Sequence, residues 1–250
     1  MNGPAEGRVN GPAEGELNGP AAVLFDMDGT LVDTEVLWWR TTEEVADRLG
    51  HRLGPADAPE VVGRAVQDTA EHLVRLTGGA DPGTVAAALT DGFFRRVAAG
   101  APLRPGVQRL LAALTARNVP FALVSASPRV VVDEVVGGAL AHVPFAFTLS
   151  ADDTARTKPH PDPYRAAAAR LGLTPGECVA VEDSPDGAAS AESAGCAVLV
   201  VPSLLDVPRS PARTFADSLE EVTPAVLRAC LRAATGDQTE SSRSARTPSA

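Results

Sequence analysis

The sequence predicts an α/β fold, namely a Rossmann-like parallel sheet core with an inserted all-helical cap subdomain. In the second half of the chain, short segments that are apolar throughout alternate with helical patterns. Strands without polar alternation are typical of a parallel sheet whose two faces are both covered by helices. Roughly ninety residues of mostly helical sequence separate the first predicted strand from the second. A separation of this length predicts an inserted subdomain rather than a single connecting helix.

The domain boundaries follow from composition. Residues 1–20 repeat an Asn-Gly-Pro unit with a period of eight residues. We expect a disordered leader there, because Gly and Pro break regular structure and small residues bury little apolar area. The polar tail 236–250 is also predicted to be disordered. The core is predicted to comprise 21–34 and 103–235, and the helical cap 35–102.

The individual elements are bounded by Gly and Pro residues. Pro105 and Pro128 stand at the starts of two predicted helices, and Gly50 and Gly138 stand at the ends of two, as helix-capping preferences require. Strands are predicted at 22–26, 120–125, 145–150, 178–183 and 196–201. Helices are predicted at 35–50, 60–78, 82–99, 105–119, 128–138, 161–173, 184–195 and 220–234.

Charge and composition exclude several classes of function. The formal net charge is −10 over 250 residues, which argues against binding to nucleic acid or to anionic membranes, since both need basic clusters. No apolar segment approaches the ~20 residues of a membrane-spanning helix, and the N-terminus lacks a signal-peptide pattern. We therefore expect a cytoplasmic protein, and the sequence implies no protein partner. Cys178, Cys196 and Cys230 lack metal-ligand spacing and are expected to be buried free thiols.

Polar residues follow four of the predicted strands, at the point where each strand ends. In an open parallel sheet, ligands bind at the carboxyl ends of the strands, so these residues are expected to share one edge. In chain order they are Asp26, Asp28 and Thr30; Ser125, Ala126, Ser127 and Arg129; Lys158; and Glu182, Asp183 and Asp186.

These residue types favour a site for a metal ion and a phosphate. Carboxylates that lie a few ångströms apart repel each other, and a hard divalent cation relieves that repulsion. A ligand set of oxygen atoms, without His or Cys, selects Mg²⁺ over Zn²⁺. Lys158 adds a positive charge, while Ser125 and the N–H groups that begin the following helix supply donors for phosphate oxygens.

The two aspartates after the first strand have separable roles. Asp26 ends the strand and suits nucleophilic attack on phosphorus, which gives an acyl phosphate. Asp28 points the same way two residues later, and it is suited to protonate the leaving oxygen and then to activate water. Gly29 permits the tight turn that keeps both carboxylates beside one substrate.

Four motifs resemble those of the haloacid dehalogenase superfamily, in its phosphatase-type branch with a helical cap. They are DMDGT at 26–30, LVSAS at 123–127, KPHPDPY at 158–164 and VEDSPDGAASAESAG at 181–195, and the resemblance covers nearly all of 21–235. It implies a Mg²⁺-dependent phosphatase that acts on a sugar phosphate or similar small phosphorylated metabolite through an aspartyl-phosphate.

The resemblance also implies a set of site residues. Asp26, Asp28, Ser125 and Lys158 are expected to be catalytic. The metal ligands are expected to be Asp26, Asp28 (through its backbone carbonyl), Asp183 and, directly or through water, Glu182. Contacts with the phosphate or the rest of the substrate are expected from Thr30, Ser125, Ala126, Arg129 and the cap residue Arg64.

Other readings of the sequence remain open. A phosphomutase of the β-phosphoglucomutase type is the main alternative, although Thr30 and Trp38 stand where such mutases carry other residues. A phosphorylated receiver domain is disfavoured by Asp28 and by the insertion, since a receiver needs neither an acid/base nor a lid. Nothing in the sequence supports a non-catalytic relative. Trp38 and Trp39 are compatible with the cap core or with a wall of the substrate pocket.

Overall fold

The computed structural model describes residues 20–62, 64 and 66–236, and within them the chain forms one six-stranded sheet. All strand pairs are parallel, and the strand order is β3-β2-β1-β4-β5-β6. The strands are β1 (Ala22–Phe25), β2 (Phe121–Val124), β3 (Thr148–Leu149), β4 (Cys178–Glu182), β5 (Ala197–Val200) and β6 (Arg213–Phe215). The fold class predicted from the sequence is confirmed. The predicted disorder of the leader and tail falls, apart from Pro20 and Gly236, outside the described residues.

Helices cover both faces of the sheet and form the insertion between β1 and β2. They are α1 (Thr34–Arg48), α2 (Ala58–Val61), α3 (Val66–Thr77), α4 (Pro82–Ala98), α5 (Val107–Thr115), α6 (Arg129–Gly137), α7 (Asp162–Arg170), α8 (Pro185–Ala194) and α9 (Pro224–Thr235).

Alternate residues of each central strand enter two different apolar clusters. Val23 and Phe25 of β1 pack with α5, α6 and α9 on one face. Ala22 and Leu24 pack with α7 and α8 on the other. Because both faces are covered, the central strands β1, β2, β4 and β5 carry no polar side chain until they end, and the polar groups collect at that edge.

The inserted helices α1 to α4 have an apolar cluster of their own, built on Leu73 and Leu89. The two chain segments that connect this cap to the core run side by side: Asp33 N–H donates to Pro102 O (2.8 Å) and Arg104 N–H donates to Leu31 O (3.0 Å). The predicted cap, 35–102, is compatible with this arrangement, and its precise limits stay a prediction.

The main differences between prediction and structure concern two predicted elements and one strand that was not predicted. The single helix expected at 60–78 is divided into α2 and α3, because Val62 adopts an extended backbone (ψ 124°) that ends α2. The strand expected at 145–150 is only two residues long, since Phe145 N–H bonds Val143 O in a turn before the strand begins. The edge strand β6 was not predicted, because its half-buried residues form no apolar segment.

The three cysteines are free and buried, as predicted. None of the helices in the described part of the chain combines the length and apolarity needed to cross a membrane.

Candidate active site

The candidate site begins at the end of β1. Asp26 N–H donates to Val181 O (3.0 Å), so the residue still follows the sheet while its side chain enters the site. The chain then turns, with Gly29 at φ +79° and its N–H on Val32 O (2.8 Å). This turn places Asp28 beside the end of β2, whereas Asp26 stays beside the end of β4.

Lys158 links two carboxylates from different strands. Its Nζ lies 2.6 Å from Asp26 Oδ1 and 2.7 Å from Glu182 Oε1. Burial opposes the charged ammonium, but the two carboxylates outweigh burial and raise the pKa of Lys158. Lys158 therefore carries a positive charge in the interior of the site. Tyr164 completes this group, since its hydroxyl donates to Glu182 and its ring lies 5.3 Å below the ammonium.

Three carboxylates form a group with the dimensions of a metal site. One oxygen each of Asp26, Glu182 and Asp183 lies within 4.8 Å of the others, and all three residues are buried. Burial, followed by the charges of Asp26 and Glu182, raises the pKa of Asp183 to about 8. Asp26 Oδ2 is also buried without a hydrogen-bond partner in the described part of the chain. This crowded oxygen-only set with an unsatisfied atom fits Mg²⁺, which would supply the missing positive charge.

Asp28 has different neighbours from Asp26. Its carboxylate accepts hydrogen bonds from three hydroxyls: Thr34 (2.8 Å), Ser125 (3.2 Å) and Ser127 (2.8 Å). Burial, followed by the charge of Asp26, raises the pKa of Asp28, and the three hydroxyls only partly oppose this increase. A raised pKa favours the protonated acid that a proton donor needs.

Close packing around the metal-site carboxylates is made possible by two glycines. A Cβ atom on Gly29 would overlap Asp183 Oδ2, and a Cβ atom on Gly187 of α8 would overlap the carboxylate of Glu182. Asp183 is oriented from the other side by Ser203, whose hydroxyl donates to Asp183 Oδ2 (2.7 Å).

Four further residues that the sequence singled out differ in burial and in their contacts. Thr30 is buried close to the turn, and its hydroxyl has no partner among the described residues. Ala126 is exposed between Ser125 and α6. Asp186 is exposed in the first turn of α8 and is not one of the three clustered carboxylates. Arg64 is exposed, donates to Pro59 O (3.0 Å) and lines the cleft between cap and core.

Arg129 is not brought to the carboxylates. Its guanidinium donates to Thr148 Oγ1 (2.8 Å) and forms ion pairs with Asp133 and Asp153, while its N–H donates to Asp152 (2.7 Å). These bonds tie the start of α6 to the segment after β3. Phosphate binding by Arg129 is not supported by this geometry, because its charged group is already occupied by carboxylates.

Four residues at the site were given no role from the sequence. Ser127 and Tyr164 lie inside the quoted motifs, so their position was visible but their partners, Asp28 and Glu182, were not. Thr34 is the first residue of α1 and lies outside the quoted motifs. Ser203 follows β5, so the rule that polar residues after a strand lie at the site would also have predicted Ser203.

A cleft between the cap and the core opens next to these groups. It has a volume of about 480 Å³, and Glu35 and Ser203 lie in its wall. Trp38 and Trp39 line it as well, and both also pack in the cap core. Trp38 donates to Val61 O (2.9 Å) and meets Phe93 edge-on. The two tryptophans therefore belong both to the cap core and to the wall of the cleft.

A parallel sheet with an inserted helical cap and carboxylates at its carboxyl edge defines a class of phosphoryl-transfer hydrolases. The family model of the haloacid dehalogenase-like hydrolases matches residues 20–195, and the chain belongs to that family. Hexitol phosphatase A of Escherichia coli (strain K12) is 33% identical to this chain, in an alignment that covers 80% of this chain and 92% of that protein. The chain is therefore an enzyme of the phosphatase type within this family.

Solved structures of similar proteins agree with this assignment. CbbY from Rhodobacter sphaeroides, crystallised in complex with phosphate, is 26% identical with a TM-score of 0.65, over 81% of this chain and 96% of that one. A family hydrolase from Deinococcus radiodurans R1, with bound phosphate and sodium, is 27% identical with a TM-score of 0.67, over 87% of this chain and 97% of that one.

Proposed function

We propose that the enzyme is a Mg²⁺-dependent phosphatase that hydrolyses a small phosphomonoester through an aspartyl-phosphate on Asp26. The observation that carries this proposal is the state of the Asp26 carboxylate. Lys158 holds Oδ1 (2.6 Å), while Oδ2 is buried and has no partner within the described chain. An oriented, desolvated carboxylate oxygen at the substrate edge of a sheet is suited to attack phosphorus.

The reaction proceeds in two transfers. A carboxylate oxygen of Asp26 attacks phosphorus, the bond from phosphorus to the alcohol oxygen breaks, and Asp28 gives that oxygen its proton. A water molecule then loses a proton to Asp28 and attacks the phosphorus, so that the bond to Asp26 breaks and inorganic phosphate is released. Each turnover returns Asp28 to its protonated form, which its raised pKa favours.

Mg²⁺ would be held by Asp26 and Asp183, with Glu182 as a direct or water-mediated ligand and the backbone carbonyl of Asp28 as the family resemblance implies. Bound there, Mg²⁺ neutralises charge on the phosphate oxygens. Lys158 supplies a second positive charge at Asp26, and the hydroxyls of Ser125 and Thr30 are the candidate donors to the phosphate.

The substrate class is supported by the relatives. Hexitol phosphatase A and a pseudouridine-5'-phosphatase of Drosophila melanogaster are named for phosphomonoesters of small polar alcohols. Sugar phosphates and similar metabolites are therefore the first compounds to test. A cytoplasmic location remains part of the proposal, since such metabolites are found there.

The proposal is tested by phosphate release from p-nitrophenyl phosphate in the presence of Mg²⁺. Asp26→Asn removes the nucleophile, so we expect the rate to fall by about 10³-fold or more. Asp186→Asn changes an exposed aspartate on α8 and should leave the rate unchanged. Retained activity in Asp26→Asn would exclude the nucleophile assignment. Incubation with a hexose 1-phosphate separates a phosphatase, which releases phosphate, from a mutase, which yields an isomer.

A further inference from the structure

The cleft between cap and core extends outward from the proposed catalytic residues. Ser203 lies in its wall, and the same hydroxyl holds Asp183 in place (2.7 Å). A second cavity of about 570 Å³ continues it, because Ala58, Val62 and Leu204 line both. A substrate whose phosphate lies at Asp26 therefore has its alcohol portion in this cleft.

The wall of the cleft is mainly apolar. Helix α1 contributes Val36, Trp38 and Trp39, and the core contributes Leu204 from the loop after β5. Leu205 lines the outer cavity. Ligand pockets combine apolar walls with a few polar groups that fix orientation, and here Ser203 is the polar group that touches the carboxylate of Asp183.

Exposed apolar side chains are concentrated along this cleft. Among the described residues, five large apolar side chains are exposed, and three of them line it: Leu204 (59%), Val36 (38%) and Leu205 (38%). The other two, Leu76 on α3 and Val130 on α6, are absent from its wall. Apolar surface gathered in a crevice gains free energy when a ligand removes it from water.

The wall also contains charged groups, namely Asp33, Glu35, Arg40, Glu43 and Arg104 in the inner cleft and Arg64 in the outer cavity. Asp33 accepts a hydrogen bond from Val36 N–H (3.3 Å) and lies 4.0 Å from Arg104, so these two charges compensate each other. Glu35, whose pKa is raised to about 6 mainly by burial, lies at the inner end, where it is close enough to influence Asp183. A polyol in the cleft would place some of its hydroxyl groups against the Leu204 side chain, which offers no hydrogen-bond partner.

We infer that the preferred substrate is a phosphomonoester of an alcohol with an apolar carbon skeleton, such as an alkyl, cycloalkyl or aryl group, bound against Trp39 and Leu204. This inference rests on the proposed phosphatase function and narrows its substrate class. Sugar phosphates that lack an apolar part are then weaker substrates.

The inference is tested with two phosphates of primary alcohols, cyclohexylmethyl phosphate and sorbitol 6-phosphate, whose leaving groups are chemically alike. We expect kcat/KM to be higher for cyclohexylmethyl phosphate by about tenfold or more. Leu204→Asn should lower kcat/KM for cyclohexylmethyl phosphate by about tenfold and change that for sorbitol 6-phosphate little. Leu76→Asn and Val130→Asn make similar changes away from the cleft, so neither should alter the ratio.

Binding gives a readout that does not depend on turnover. Trp38 and Trp39 are the two tryptophans of the chain, and both line the cleft. A non-hydrolysable cyclohexylmethyl phosphonate should therefore change the intrinsic fluorescence with a lower Kd than the sorbitol phosphonate, and Leu204→Asn should remove this difference.

Three results would overturn the inference: equal or faster turnover of sorbitol 6-phosphate, an equal loss for both esters in Leu204→Asn, or phosphonates that bind equally well. An equal loss would mean that Leu204 serves closure of the cap rather than substrate choice. Failure of the phosphatase proposal has a different signature, because p-nitrophenyl phosphate would then release no phosphate either. Binding of the two phosphonates would still test the preference for an apolar alcohol.

Discussion

Asp26 and Asp28 are two residues apart, but their surroundings give them different chemistry. Asp26 lies against the ammonium of Lys158 and belongs to the group of three carboxylates. Asp28 is surrounded by hydroxyls and has a raised pKa. These surroundings support the proposed division of roles, in which Asp26 attacks phosphorus and Asp28 carries the proton.

This division predicts the behaviour of Asp28→Asn with p-nitrophenyl phosphate. Nitrophenolate leaves without a proton, so the first transfer should proceed, whereas hydrolysis of the aspartyl-phosphate lacks its base and should slow by about 10²- to 10⁴-fold. Rapid-quench measurements should show a burst of nitrophenolate and a trapped phospho-enzyme. Asp26→Asn should give no burst. Full steady-state turnover by Asp28→Asn would contradict the acid/base role.

Gly29 connects backbone conformation to the proposed metal site. In Gly29→Ala, the new methyl would overlap Asp183 Oδ2, and φ +79° would cost an L-residue roughly 1–2 kcal/mol. We expect loss of Mg²⁺-dependent activity. Gly50→Ala is the matched control, because Gly50 has φ +81° with no atom within 4 Å of the added Cβ. An equal loss of activity in the two variants would show that backbone strain, and not contact with Asp183, causes the loss.

At the scale of elements, the cap contains a polar cluster of its own. Asp57 in the turn before α2 lies 3.2 Å from His51 Nε2 and 3.1 Å from His72 Nε2 on α3, and Gly54 N–H donates to it (2.9 Å). Burial opposes ionisation of Asp57, but the hydrogen bonds from Gly54, His72 and His51 outweigh it and lower the pKa below 3.8. Through one carboxylate, the cluster joins the segment after α1, the turn before α2 and helix α3.

A lowered pKa in the folded state gives stability that is present above the ordinary pKa and is lost as the pH falls through the folded value. Asp57→Asn should therefore reduce the free energy of unfolding at pH 7, and the difference from the unmodified protein should shrink as the pH falls below about 4. Urea unfolding at several pH values measures it. Asp91→Asn, on the exposed face of α4, should show no such dependence. A difference that stays constant with pH would rule out the ionised carboxylate as its source.

The sequence patterns predicted most elements because each carries a local signal. Apolar segments of four or five residues marked β1, β2, β4 and β5, and Pro128 marked the start of α6. The errors fall where local signals are weak. The edge strand β6 is defined by its pairing with β5, which its composition does not reveal. The helix predicted at 60–78 is divided at Val62, where the backbone is extended.

At the scale of the whole molecule, the proposed metal site joins residues at the ends of β1 and β4 and depends on the pairing of these two strands. Mg²⁺ that binds only the folded state should stabilise it by about 2.7 kcal/mol at 100 times its Kd, which is roughly 5–10 °C in Tm. Thermal unfolding with Mg²⁺ or with a chelator measures this shift. Asp183→Asn should remove the shift and Asp186→Asn should keep it. An unchanged Tm in the unmodified protein would argue against the site.

The sequence by itself determined the α/β class, the inserted helices and the residues at four strand ends, because periodicity and motif spacing are local properties of the chain. Only the tertiary structure decided which of these residues meet. In the folded protein, Ser127 and Thr34 donate hydrogen bonds to Asp28, and Arg129 pairs with Asp153. Leu204 and Trp39 line the same cleft. Such pairings join segments that are distant in sequence, so they depend on how the sheet and cap pack and leave no trace in local pattern.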